Sequence, residues 1–231
     1  MKHQILAKVQ KRLRKAIWRF QARGRGDFLR HCRGVIHVGA NSGQERDAYK
    51  RHDLPVVWIE AAPEPYQALL ANLERYPKQR AINALVLDTD GTRCTFHVAN
   101  NAGASSSVLD MALHKDIWPH VVYSHDIELV SQTLPSALAG AGIDVAGYDA
   151  LVMDTQGSEL SVLQGARDLL TGFRYIKTEA ADFESYKGCA RVETLAGFLH
   201  DFGFVIDHKA PFATHPSGGT YFDVLFRREP T

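Results

Sequence analysis

Apolar residues in this chain alternate between short continuous runs and stretches where they return at helical spacing. Residues 34–38 and 56–60 are apolar almost throughout, the pattern of strands covered on both faces as in a parallel sheet. Residues 148–153 and 173–178 read the same way. Between them, helices are expected over about 43–52, 64–76, 158–170 and 191–202. Pro63 and Pro65 stand at the start of the second of these and Pro77 beyond its end, where proline is tolerated. A third strand is expected over 80–87, and Asp90-Gly91 predicts a turn into a hairpin partner at 92–99. The run 100–107 is small and polar, has no apolar face to bury, and reads as a mobile loop. A short helix near 108–116, an extended piece at 121–133, a helix from about Pro135 and a closing strand pair at 203–208 and 220–227 complete the pattern. Strand and helix alternate as in a doubly wound α/β sheet.

The first 26 residues depart from this pattern. Ile5, Leu6, Val9, Leu13, Ala16, Ile17 and Phe20 mark residues 3–21 as an amphipathic helix, and Gly24-Arg25-Gly26 as a hinge. The reading is therefore a basic helical extension, 1–26, and one domain, 27–231. Charge sharpens the division. Residues 1–33 hold eleven Lys/Arg and one acid, leaving sixteen basic and twenty-five acidic residues for the rest, although the whole chain is +1. Such a helix either packs on and neutralises the acidic body, docks through residues 1–23 on an anionic membrane surface, or holds a polyanionic partner. Nucleic acid is disfavoured, because only Trp18 and Phe20 offer stacking faces among the basic residues.

The remaining composition is that of an ordinary soluble chain: 231 residues, 45% hydrophobic, 23% charged. No apolar run approaches the ~20 residues of a membrane span, and no secretory apolar core opens the chain. Three separated cysteines, Cys32, Cys94 and Cys189, point to a reducing compartment rather than a disulfide framework. A cytoplasmic protein is expected, peripheral at the inner membrane surface if the basic helix docks there.

The densest chemistry lies where the first strand runs into Gly39-Ala40-Asn41-Ser42-Gly43 and the second ends at Glu60. A glycine turn lets backbone approach a ligand, the helix expected near Gly43 presents free N–H groups, and a carboxylate at the next strand tip suits ribose hydroxyls. A dinucleotide site would need G-x-G-x-x-G; here Asn41 holds the middle position and the third glycine is missing. The spacing suits S-adenosylmethionine, whose methionine tail carries no phosphate. An NAD(P)-dependent oxidoreductase is the rival, and a non-catalytic nucleoside-binding scaffold docked through the basic helix is another.

Asp154 and Glu179 close two strands expected to be neighbours, where ligands bind in such sheets. They act either as a base for a hydroxyl or as ligands of a divalent metal completed by Glu159 and Asp182. His114, His120 and His125 cluster in the middle segment, and His125 is taken as the further base candidate. Ser105–Ser107 suit a lid, and residues 186–189 suit an acceptor wall.

Val35-Ile36-His37-Val38-Gly39-Ala40-Asn41-Ser42-Gly43-Gln44-Glu45, Trp58-Ile59-Glu60-Ala61-Ala62-Pro63, Asn83-Ala84-Leu85-Val86, Ser105-Ser106-Ser107 and Met153-Asp154-Thr155-Gln156-Gly157-Ser158-Glu159-Leu160 follow one another as in FkbM-type methyltransferases, which the chain resembles over about residues 33–228. The resemblance implies an α/β, Rossmann-like class I methyltransferase fold: a mostly parallel seven-stranded sheet, helices on both faces and an antiparallel final strand. It implies S-adenosylmethionine as donor and a hydroxyl acceptor on a sugar or natural product. Carried over by position, Gly39, Ala40, Asn41 and Gly43 hold the methionine portion, Glu60 with Ala61 the ribose, Asn83 and Ala84 the adenine, and Asp154 lies beside the methyl group. Two departures stand out. His37 occupies a place where Asp is commoner, supporting the turn through a ring N–H, and Asp154-Thr155-Gln156-Gly157 replaces Asp-Val-Glu-Gly. The expected function is O-methylation of a saccharide, glycan or glycosylated metabolite.

Overall fold

The computed structural model describes residues 28–229, so the amphipathic helix expected over 3–21 and its hinge lie outside the described residues. Ten strands are present: β1 Val35–Val38, β2 Val56–Glu60, β3 Gln79–Asn83, β4 Leu85–Val86, β5 Arg93–Ala99, β6 Tyr123–Gln132, β7 Ala150–Met153, β8 Tyr175–Ala181, β9 Phe204–Thr214 and β10 Thr220–Arg228. Seven form one sheet in the order β3-β2-β1-β7-β8-β10-β9. The first five run parallel and β10 is antiparallel to both neighbours, as the resemblance implied. The helices are α1 Arg46–Arg51, α2 Pro63–Leu73, α3 His114–Ile117, α4 Leu134–Gly140, α5 Glu159–Gly165, α6 Arg167–Leu170 and α7 Val192–His200. None of the described helices is long and apolar enough to cross a membrane.

The apolar runs become strands because both of their faces are covered. Ile36, Val38, Val57, Ile59, Leu151 and Met153 pack with Leu134, Leu138, Val162, Leu163, Leu195 and Leu199 from α4, α5 and α7. Val35, Val56, Trp58, Ala150 and Val152 meet Tyr49 of α1 and Leu69 and Leu73 of α2 on the other face. Trp58 is fully buried. Its truncation to Ala would cost about 3–5 kcal/mol, the usual range for a large aromatic in a core.

Several local expectations are corrected. The third strand divides at Ala84: β3 stays in the main sheet, while β4 turns away to pair parallel with β6. The hairpin expected across Asp90-Gly91 does not form, and β5 pairs antiparallel with β6 instead. Asp90 has another task. Its carboxylate accepts from Thr133 N–H at 2.6 Å and Ser136 Oγ at 2.7 Å, satisfying donors at the start of α4. The helix expected at 108–116 shrinks to α3, because Met111 is drawn into a bridge with Tyr186. The strand expected to end at Thr178 runs on to Ala181, held by antiparallel pairing with β10, so Glu179 lies inside β8.

The run 100–107 lies outside helix and strand, with Asn100, Ala102 and Ala104 exposed, but its last three residues are not. Ser105, Ser106 and Ser107 are buried, and hydroxyl hydrogen bonds take the place of an apolar face. Asn101 Nδ2 donates to Ser105 Oγ, Ala99 N–H to Ser106 Oγ, and Ser107 Oγ to the Gln156 carbonyl.

Candidate functional site

A cavity of about 580 Å³ opens at the carboxyl ends of β1, β2, β7 and β8. Its first wall is the turn after β1. Gly39 has φ +80°, and a Cβ there would lie 2.0 Å from the Asp154 carbonyl oxygen, so only glycine lets the two strand ends close. Gly39 and Ala40 N–H both donate to the Ile59 carbonyl, fixing the turn onto β2. Asn41, also left-handed at φ +46°, suits the middle position because its side chain anchors in two directions. Oδ1 accepts from Ser42 N–H and Gln44 Nε2, and Nδ2 donates to the Ala102 carbonyl. Gly43 lies behind the lining, where an added Cβ would meet Leu69 of α2. The helix expected to open near Gly43 begins only at Arg46, so no helix N-terminus stands at the turn itself.

Glu60 lines this cavity and is 7% exposed. Oε2 accepts from Asn41 N–H at 2.6 Å and Oε1 from Ala62 N–H at 2.8 Å. Burial raises its pKa while these backbone donors oppose the rise. A carboxylate has about four acceptor positions, so two backbone bonds leave room for a pair of ligand hydroxyls. Ala61 and Ala84 also line the cavity, but Asn83 does not: its Nδ2 donates to the carbonyls of Glu60 and Ala61 and braces the strand end.

His37 lines the inner wall and is buried, stacked on Trp58 with ring centroids 4.7 Å apart. Its Nδ1 lies 2.9 Å from the Tyr49 hydroxyl, so the ring nitrogen meets α1. Burial, helped by Lys177, pushes its pKa down to about 3, and the ring is neutral.

Below the turn lies a floor of carboxylates. Asp154 directly follows β7, and burial raises its pKa to about 7, with Glu159 and Glu45 adding to the rise. Gln156 Nε2 donates to Asp154 Oδ1, and Gln156 Oε1 accepts from the Tyr186 hydroxyl at 2.7 Å. Gln156 holds this bridging position at φ +54°, a conformation costing a non-glycine residue on the order of 1 kcal/mol. Glu45 and Glu179 line the same cavity, and burial pushes Glu45 up to about 7, Lys177 opposing and Glu179 adding to the rise. Lys177 is ion-paired with Asp223 at 3.0 Å. Burial works against its charge, but Asp223 and Glu179 keep its pKa above the ordinary range.

The carboxylates expected to complete a metal site are engaged with backbone. Glu159 accepts from Thr155 and Gly157 N–H, and Asp182 from Thr220 N–H. Among the described residues no group of three or more His, Cys, Asp or Glu is placed to hold a metal ion.

The three histidines of the middle segment separate. His120 and His125 are exposed, and His125 sits on β6 outside the cavity lining with Nδ1 3.1 Å from Ser124 Oγ. His114 is buried and lines both the large cavity and a small one of about 40 Å³ beside it. Trp118, Gln156, Glu179 and Phe212 are likewise shared, while Tyr186, Cys189 and Tyr221 line the smaller space. Of the expected acceptor wall, Lys187 instead points to an exposed ion pair with Asp110. Among the cavity residues with no role assigned from the sequence are Glu45, Thr155, Trp118 and Phe212. Lys177 was also passed over, although a lysine inside an apolar strand run was a readable sign of a buried charge partner.

A family model described as the methyltransferase FkbM domain matches residues 37–206. The 2-O-methyltransferase NoeI of Sinorhizobium fredii is 25% identical over 179 residues, covering 74% of this chain and 72% of that protein. Among solved structures, methyltransferase FkbM from Methylobacillus flagellatus KT aligns at 16% identity and a TM-score of 0.48. That alignment covers 83% of this chain and 43% of the other, so the chain spans less than half of that structure. Magnesium protoporphyrin IX methyltransferase from Synechocystis PCC 6803, solved with S-adenosylmethionine, aligns at 10% identity and a TM-score of 0.46, covering 92% and 89% of the two chains.

Proposed function

The chain belongs to the FkbM methyltransferase family, a family of S-adenosylmethionine-dependent enzymes, and from that premise we propose that it methylates a hydroxyl of a saccharide, glycan or glycosylated metabolite. The observation that carries this reading is one cavity joining two unlike ends. At one end stand the Gly39–Asn41 turn and Glu60, and at the other Trp118, Phe212 and the buried imidazole of His114. The volume lies in the range of pockets that enclose a small organic ligand.

The residues fit the donor. Gly39, Ala40 and Asn41 bring the turn's backbone to the cavity wall, and Glu60 keeps acceptor positions for two ribose hydroxyls. When bound, the donor supplies a methyl carbon on a positively charged sulfur. Asp154, Glu45 and Glu179 give the wall a negative potential, which favours a cationic ligand over its neutral product. Asp154 is best suited to this electrostatic task, because its Oδ1 already accepts from Gln156. The flat rings of Trp118 and Phe212 suit the C–H faces of a pyranose. The 2-O-methyltransferase activity in NoeI's name supports a hydroxyl acceptor.

The test is calorimetric titration with S-adenosylmethionine, S-adenosylhomocysteine and NADH, followed by mass spectrometry of a panel of methyl hexopyranosides and disaccharides incubated with enzyme and donor. Binding of both adenosyl ligands and a mass gain of one methylene on a sugar are expected. NADH binding in their place would refute the donor assignment, and donor binding without transfer to any sugar would refute the acceptor class.

A further inference from the structure

The geometry points to His114 as the base that takes the acceptor's hydroxyl proton, with Tyr221 as its positioning residue. This inference rests on the hydroxyl-methyltransferase reading above. Among the described residues, two buried side-chain polar atoms have no hydrogen-bond partner: His114 Nε2 and Thr155 Oγ1. Both residues line the same large cavity. Leaving a buried polar atom unpaired costs about 1–3 kcal/mol, so Nε2 calls for a ligand group that pairs with it, whereas the Thr155 side chain has the Glu159 carboxylate within reach. Thr155 directly follows Asp154, and His114 stands at the junction with the smaller aromatic space. A hydroxyl of the acceptor satisfies Nε2.

The imidazole is held for this task. Its Nδ1 lies 2.9 Å from the Tyr221 hydroxyl. The ring packs against Trp118 and Tyr186, with centroids 4.6 and 5.0 Å away. With the proton on Nδ1 donated to Tyr221 Oη, the Nε2 lone pair is left to accept a proton. The titratable groups around the small space are Tyr221 from β10, Tyr186 and Cys189 from the loop after β8, Glu159 from α5 and Glu179 from β8. Burial pushes the His114 pKa down to about 4, so the ring is neutral across the physiological range.

Nε2 takes up the hydroxyl proton as the acceptor oxygen bonds to the methyl carbon and the carbon–sulfur electron pair passes to sulfur. The positive charge lost from sulfur reappears on the imidazolium, which releases its proton to solvent. A weakly basic imidazole suffices, because the hydroxyl proton becomes far more acidic as the oxygen–carbon bond forms.

Two measurements on the full chain test this. In ¹⁵N-histidine NMR of the S-adenosylhomocysteine complex, the signals lost in His114→Gln are expected to show a protonated Nδ1 and a pyridine-type Nε2. The opposite tautomer would overturn the inference whatever the acceptor. In methyl transfer to the hexopyranoside panel, His114→Gln is expected to lower kcat 100-fold or more while calorimetric donor affinity stays within threefold. A kcat within threefold of wild type would also overturn it. Tyr221→Phe is expected to lower kcat about tenfold at unchanged KM, with mixed His114 tautomers in the NMR spectrum. A single unchanged tautomer in that variant would remove Tyr221 from its role. If wild-type enzyme methylates no sugar, the acceptor class falls, and the tautomer measurement still decides the role of His114.

Discussion

Replacing Glu60 by alanine tests the donor cradle at the residue that both builds and reads it. In the protein alone, the carboxylate pairs Asn41 and Ala62 N–H, and truncation unpairs both. Each unpaired buried donor costs about 1–3 kcal/mol, partly offset because a buried carboxylate is no longer needed. A net destabilisation of about 2 kcal/mol is expected. In the complex, two hydrogen bonds from ribose hydroxyls to a charged acceptor are lost as well, each worth about 1.5–3 kcal/mol. That loss corresponds to at least about 100-fold weaker donor binding. Glu60→Gln is no conservative rescue. Its amide has one acceptor oxygen for two fixed backbone donors and turns an NH₂ toward one of them, so it too is expected to bind donor at least tenfold more weakly. Calorimetric titration with S-adenosylmethionine, paired with differential scanning calorimetry to confirm folding, measures both effects. A folded Glu60→Ala protein that binds donor within threefold of wild type would refute the assignment of Glu60.

Gly39→Ala places a methyl group 2.0 Å from the Asp154 carbonyl at a left-handed φ, and urea denaturation should show a loss of at least about 2 kcal/mol. Glu45 and Asp154, both raised to about 7, hold protons in the native state that they would shed when unfolded. Below about pH 6.5 this is offset by His37 and His114, which are neutral in the native state and protonated when unfolded. The ligand-free protein should therefore lose stability chiefly as pH rises from about 6.5 through 7, measured as a falling Tm. Over the same rise the two groups ionise, so calorimetry should show S-adenosylmethionine gaining affinity relative to S-adenosylhomocysteine as pH passes 7. Trp118→Ala is expected to raise KM for the sugar acceptor about tenfold in steady-state assays while leaving donor affinity within threefold. Full-length protein should bind anionic liposomes in a salt-sensitive manner, and a chain lacking residues 1–23 should not; equal co-sedimentation of the two would end the membrane-docking proposal.

The end of the cavity proposed to hold the donor was legible because local chemistry dictates its shape. An apolar strand, a glycine turn that tolerates no Cβ and a carboxylate at the next strand tip leave their marks within about 25 consecutive residues, and β1 and β2 fall within a residue of where the hydrophobic runs put them. The acceptor end was not legible, since its wall gathers α3, β9 and the loop after β8 from distant parts of the chain. Nothing in the local pattern distinguishes buried His114 from exposed His120 and His125. The β5–β6 pairing was missed because Asp90-Gly91 carries a hairpin signal while the Asp90 carboxylate serves α4. The burial of Ser105–Ser107 was not read because a polar stretch can be buried when its hydroxyls find partners, nearby at Asn101 and Ala99 and remote at Gln156.

The parting of the chain at Ala84 has a consequence for how such an enzyme diversifies. Beyond that point β4, β5 and β6 make a second sheet with its own small core of Leu85, Leu87, Phe96 and Ala62. The loops at 100–107 and 108–122 spring from this annex and wall one side of the cavity, while Gly39, Asn41 and Glu60 belong to the main sheet. Hydrogen bonds from Asn41 to Ala102 and from Ser107 to Gln156 join the 100–107 loop to the main body. The next stretch is tied to the loop after β8: Ala112, Leu113 and His114 N–H donate to the Ser185 and Glu184 carbonyls, and Lys187 N–H donates to the Asp110 carbonyl. The backbone bonds that shape the turn and hold Glu60, from Gly39 and Ala40 N–H to Ile59 and from Ala62 N–H to Glu60, lie wholly within the main sheet and its turns, so side chains of the annex loops can change without touching them. A library confined to Ile117 and Trp118, which line the cavity from α3 and its end, should keep donor binding, and those are the positions through which a lineage, or a laboratory, would move the methyl group to a different hydroxyl.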